Sequence, residues 1–188
     1  MGSTLPAGTC EDLSFGINFL ESRSLPGGKE LLNSLKCLRH PPVSPQKKGV
    51  SLIFSNARAI FEGLSAIDFL VSEACESVIL ENIDSSMLLV GLASNYYGLS
   101  FSFYNNKGIY AALFNDQLNW KAENYRCSSD IEIRLTYGEL DNLLAKRSRM
   151  LLDENIFEEL TSLASNMLVP ESELSRATGA GAGNIDND

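Results

Sequence analysis

One histidine, His40, stands in the whole chain. Any Ser-His-Asp or Cys-His mechanism would have to pass through it. It sits in Arg39-His40-Pro41-Pro42, a proline-rich stretch that reads as an exposed loop and makes it dispensable. The cysteines Cys10, Cys37, Cys75 and Cys127 are far apart, with no C-x-x-C pair and no zinc spacing. No His-carboxylate arrangement surrounds His40 either, so neither a metal nor a cofactor is expected.

Paired carboxylates can serve as general acid and base without a histidine. The candidates are Glu73, Glu76, Glu81 and Asp84, or Glu139 and Asp141. Nothing in their spacing brings a pair across a pocket, so helix-surface and capping roles are the default. Gly179, Gly181 and Gly183 resemble a phosphate loop only superficially. A dinucleotide loop needs a strand before it and a helix after it, and the sequence stops five residues later. Small residues bury too little area to offset ordering entropy, which favours a flexible tail. Glycine also lets backbone approach a surface closely. On that reading Ile185 anchors the tail in a groove, and Asp186 and Asp188 meet a cation or a basic partner.

Around these groups the sequence predicts one domain over 11–170, a disordered lead over 1–10 and a tail over 171–188 rich in Gly, Ala and Asp. The chain has 188 residues, of which 44% are hydrophobic, enough for a core without staples. Its net charge of -9, from 24 acidic and 15 basic residues, repels phosphate backbones and anionic lipid surfaces. Nucleic acid and membrane are therefore poor partners. No stretch reaches membrane-helix length and the start lacks signal-peptide regions, so the expected location is cytoplasmic.

Leu31, Leu32, Leu35 and Leu38 share one face of a helix over 29–38. Ile53, Ala57, Ile60, Leu64, Ile67, Val71 and Ala74 predict a single long helix over 53–74. Residues 77–83 read as a short strand. Ser85 is placed to cap a helix running to Tyr97, with Gly98 closing it. Leu99, Phe101 and Phe103 alternate with polar neighbours, and Asn105-Asn106-Lys107-Gly108 turns the chain into a returning strand over 109–114. Phe101 and Phe103 are assigned to the core, while Tyr104 and Tyr110 flank the turn and could pack across the hairpin. A third strand is expected around Leu118 and Trp120, another over 131–137, a short helix over 140–145, and a last helix capped by Asp153. Its stripe is Ile156, Leu160, Leu163 and Met167. The expected fold class is α+β, with helices packed against one face of a mainly antiparallel sheet.

The closing run Val169-Pro170-Glu171-Ser172, Ser175-Arg176 and 179–188 resembles the signature of an uncharacterised bacterial family known only as a domain of unknown function. That signature reads V-P-A/E-S, S-R, G-A-G-A-G-L-T/S-D-N-D. Leu13-Ser14-Phe15-Gly16 is similar to the family's L-S-W-G element, with Phe15 in place of tryptophan. Leu25-Pro26-Gly27 is similar to its next helix entry. The resemblance spans about Leu13 to Asp188, and the helix that usually precedes L-S-W-G is missing or truncated. It implies no reaction, since the family has no established activity, and at most a metabolic accessory role. It adds Ser175 and Arg176 to the binding candidates Gly179, Gly181, Gly183, Asp186 and Asp188. Two functions remain: a non-catalytic binding or accessory module whose tail docks on a surface, or a small-molecule enzyme using carboxylates, with the tail closing its site. The expected partner is a protein or a small metabolite, and a homo-oligomer stays open.

Overall fold

The structure is a computed structural model and describes residues 7–36, 43–125, 130–136, 143–147 and 152–165. Five helices accompany a mixed, mostly antiparallel sheet of seven strands, so the fold class is α+β. Two helices, α1 (Ala7–Glu21) and α2 (Gly27–Lys36), precede the sheet. Strands β1 (Gln46–Lys48) and β2 (Ser51–Ser55) follow, then α3 (Ala59–Val71), β3 (Ser77–Glu81) and α4 (Ser86–Ala93). The strands β4 (Ser100–Asn105), β5 (Gly108–Phe114), β6 (Gln117–Trp120) and β7 (Ile131–Leu135) complete the sheet, and α5 (Glu154–Ser165) comes last. The spatial order is β1-β2-β3-β7-β4-β5-β6. Only β2 and β3 run parallel, joined by α3; every other neighbouring pair is antiparallel.

Register decides which face is core. Leu52 pairs with Val78, Val78 with Ile133, Ile133 with Phe103 and Phe101 with Leu113. Paired residues share a face, and all of these are buried together with Ile60, Ile67, Leu88 and Leu89 of α3 and α4. The opposite face carries Ser51, Ile53, Glu81, Tyr104, Glu132 and Arg134, half-buried or exposed. There Arg134 pairs with Glu132 at 2.9 Å and lies over the Tyr104 ring. Helices thus pack on one face.

The expected long helix over 53–74 is corrected. Ser51–Ser55 is a strand, with Leu52 and Phe54 buried and their neighbours outward, a period of two. The stripe is real only from Ala59 onward, where Ile60 and Ile67 are buried. A β-branched and aromatic run beside a second strand won over the helical spacing. The lead over 1–10 is corrected in part. Helix α1 begins at Ala7, because docking its apolar side on α4 supports a first turn that would not persist alone. Residues 1–6 lie outside the described residues. The helix expected over 140–145 is replaced, where described, by extended chain, with Leu143 bridged to Asn119 of β6.

Other expectations hold. Ser85 caps α4 by accepting from Leu88 N at 3.3 Å, although the helix ends at Ala93 rather than Tyr97. Asp153 caps α5, accepting from Asn155 N at 3.0 Å. The hairpin turns at Gly108, whose φ of 108° needs glycine. Tyr110 departs from the cross-hairpin expectation. Phe103 pairs with Ala111 and Tyr104 with Ile109, so Tyr110 is the extra residue of a β-bulge. The bulge turns it into the core, fully buried, while Tyr104 stays on the open face.

Candidate functional site

The carboxylates weighed for acid–base work are distributed among structural tasks. Asp84 Oδ1 accepts from Ala59 N and from Ser85 N, each at 2.8 Å, and so caps α3 from the neighbouring β3–α4 loop. Glu81 accepts from the Ser55 hydroxyl at 2.5 Å across the paired ends of β2 and β3. Glu73 ends α3 in the left-handed conformation, at a φ of 57°. Two carboxylates overlooked in the sequence also hold helix starts. Glu62 accepts from Arg58 N at 2.7 Å and from Val43 N at 2.8 Å. Glu30 of α2 accepts a hydrogen bond from the Ser85 hydroxyl at 2.6 Å and so ties α2 to the start of α4. The signal for Glu62 was available, an acid four residues into a helix; for Glu30 it was not, because its partner lies far along the chain.

Among the described residues, the candidates Glu73 and Glu76 share a crevice with Cys75, Val50 and Lys47. Burial pushes the Cys75 thiol up from its usual value, and nearby Lys47 only partly opposes this. A raised pKa leaves little thiolate at neutral pH. Cys10, by contrast, is exposed. In folded protein, iodoacetamide is expected to label Cys10 at least several-fold faster than Cys75, read by mass spectrometry of the two peptides. Equal rates would show that Cys75 is more open and more ionised than this geometry allows. His40, Cys37, Cys127, Glu139, Asp141 and the tail candidates Ser175, Arg176, Gly179, Gly181, Gly183, Asp186 and Asp188 lie outside the described residues.

The more developed site is a crevice of about 630 Å³ between α1, the end of α4 and the β5–β6 turn. Helix α1 supplies one wall. Asp12, Phe15 and Phe19 recur at three- and four-residue spacing, so they share a face and span roughly 10 Å along the axis. The same helix is locked down from the other side. Leu13 and Leu20 are buried, and a Cβ on Gly16 would lie 2.8 Å from the backbone of Gly91. The Leu-Ser-Phe-Gly element therefore has a structural content: leucine and glycine seat α1 on α4, and the aromatic points outward. Phe15 is 66% exposed.

At the far end lies Arg23, only 3% exposed. Its Nη1 donates to the Phe19 carbonyl at 3.1 Å and to Ser22 Oγ at 2.9 Å, and its Nη2 donates to the Asp116 carbonyl. The guanidinium carbon stands 3.7 Å from the centre of the Phe19 ring. Burial lowers the Arg23 pKa, opposed by the charge of Asp116. The Asp116 carboxylate itself faces Lys146 Nζ at 3.8 Å, and Asn95 Nδ2 donates to the Asp12 carbonyl at 3.0 Å. Close in the chain to the lining residues Asn95 and Asp116, Tyr97 is 83% exposed and Phe114 36%. Their neighbours are joined by Asn115, whose side chain accepts from Gly98 N at 2.7 Å.

Sequence reasoning missed this crevice. Arg23 carried no motif, and the aromatics were read mainly as core. The clue lay in the Leu-Ser-Phe-Gly element, where an aromatic beside a glycine sits opposite the buried leucine face. No family model, no curated protein and no solved structure matches this chain.

Proposed function

We propose that this protein is a non-catalytic binding or metabolic accessory module, with the α1 crevice as its recognition surface and the segment 171–188 as a docking element. The observation that carries the reading is Phe15: a large aromatic on a helix pinned to the core, yet two-thirds exposed at the edge of a crevice. Exposed aromatics that cluster at a concave surface are what partner sites use. Tyr97 adds a second such side chain nearby in the chain to Asn95, which lines the same crevice. The acid–base alternative is less supported, because Asp84 and Glu81 already serve backbone and hydroxyl donors. The resemblance of 169–188 and of Leu13–Gly16 to an uncharacterised family supports an accessory role without naming a reaction.

The test is affinity capture from native extract with the full chain, Phe15→Ala, Tyr97→Ala and a deletion of 179–188. Species retained by the full chain should be lost in the aromatic variants and weakened by the deletion, with circular dichroism unchanged. Retention of the same species by all four would remove both the crevice and the tail from the binding surface.

A further inference from the structure

Glu11 and Asp12 stand one turn before Phe15 on α1, four and three residues away, and so adjoin it on the helix surface. Side chains on a helix lean toward its N-terminus, which carries the Phe15 ring over that turn. Glu11 is exposed and Asp12 half-buried. Asp12 Oδ1 has the Asn95 amide at 3.4 Å, a long contact. Among the described residues neither carboxylate has an ion-pair partner. Asp68 adds to the same field. Its carboxylate accepts from the Tyr96 hydroxyl at 2.5 Å, and Asp12 acts on that phenol through space as well.

The cations that line the crevice are engaged elsewhere. Arg23 is buried, with its Nη donors turned to carbonyl and hydroxyl oxygens, and Lys146 faces Asp116. The Asp12 end is therefore negative, and an exposed ring lies against that charge. A guanidinium suits both features at once, because it stacks on an aromatic face and meets carboxylates through its edge. The surface is open, with Phe15 66% exposed, which fits a protein segment better than an enclosed small molecule. A second copy meeting it face to face would set the same acidic turn against itself. We propose that the α1 wall of the crevice docks an arginine-bearing segment of another protein, its guanidinium on Glu11 and Asp12 and its apolar neighbours along Phe15. The assignment rests on the reading of the crevice as the recognition surface, and it names the chemistry of the partner.

The probes are short fluorescein-labelled peptides of leucine and serine carrying a pair of arginines, lysines or glutamates at one end, titrated with the full chain by fluorescence anisotropy. The arginine peptide is expected to bind with a Kd on the order of 100 μM or tighter, and the glutamate peptide at least about tenfold more weakly. The lysine peptide should fall between them, since an ammonium does not stack as a guanidinium does. Glu11→Gln combined with Asp12→Asn, or Phe15→Ala alone, should weaken the arginine peptide several-fold. Glu154→Gln combined with Glu158→Gln makes the same change of charge on α5, outside the crevice, and should leave binding unchanged. Equal losses from the two double variants would reduce the attraction to net charge and overturn the proposal. So would equal binding of the arginine and lysine peptides, tighter binding of the glutamate peptide, or no saturable binding of the arginine peptide up to about 1 mM. Glu11→Gln, at an exposed position, decides the matter if the Asp12 variant does not fold. If the arginine peptide fails while Phe15→Ala still abolishes partner capture, the basic partner falls and the binding reading stands. If capture also survives Phe15→Ala, both fall.

Discussion

Gly16→Val is expected to destabilise the fold by about 3 kcal/mol, an overpacking cost at the upper end of the usual range. The reason is backbone against backbone. A Cβ on Gly16 would sit 2.8 Å from the carbonyl carbon of Gly91 and 2.9 Å from its oxygen, and a Cβ on Gly91 would sit 2.8 Å from the Gly16 oxygen. Neither neighbour is a side chain that can rotate away, so α1 and α4 must separate. That movement also withdraws Leu13 and Leu20 from the core. For a chain of this size the melting temperature should fall by roughly 6–12 °C. Gly8→Ala is the internal control: nothing lies within 4 Å of a Cβ there, so it should be neutral or slightly stabilising through helix propensity. A Gly16→Val protein that melts with the wild type would mean that the two helices do not touch at these glycines.

Tyr110→Ala is expected to cost about 3–5 kcal/mol, the range for deleting a buried aromatic. Tyr110 is fully buried at the bulge, edge-on to Trp120 with ring centres 5.9 Å apart and tilted against Phe103 at 6.1 Å. Its hydroxyl donates to the Ser86 carbonyl at 3.2 Å, in the first turn of α4. Tyr110→Phe should therefore cost only about 1 kcal/mol, the net worth of one hydrogen bond. Chemical denaturation of the two variants separates packing from hydrogen bonding; equal losses would assign the whole effect to the hydroxyl. Burial also pushes the Tyr110 phenol far above its ordinary value, and burial with the Asp68 carboxylate as acceptor does the same at Tyr96. The neutral phenol is the folded form, while an unfolded phenol ionises near pH 10. The stability these two groups contribute is thus complete below about pH 10 and is lost as pH rises from there toward their higher folded values. Tyr110→Phe should make alkaline unfolding less steep.

The sheet was legible wherever local pattern and tertiary use agreed. Phe101 and Phe103 alternate with polar neighbours because one face of β4 is core, and Gly108 marks the turn because its φ requires it. The segment 51–55 misled because Ile53 fits a helical stripe with Ala57 and Ile60, and only pairing with β3 settles its state. The bulge at Tyr110 left no trace in the alternation, since one inserted residue in a strand of small and apolar side chains preserves its look. Caps were readable when contiguous, as with Ser85 and Asp153, and unreadable when the cap arrives from another loop, as Asp84 does for α3. The crevice was hidden for the same reason. Arg23 gains its character from Asp116, which lies 93 residues further along the chain.

The most direct measurement is capture from native extract by the full chain beside Phe15→Ala. Species held by the full chain should be lost with Phe15→Ala while circular dichroism stays unchanged. Retention of the same species by Phe15→Ala would contradict the account.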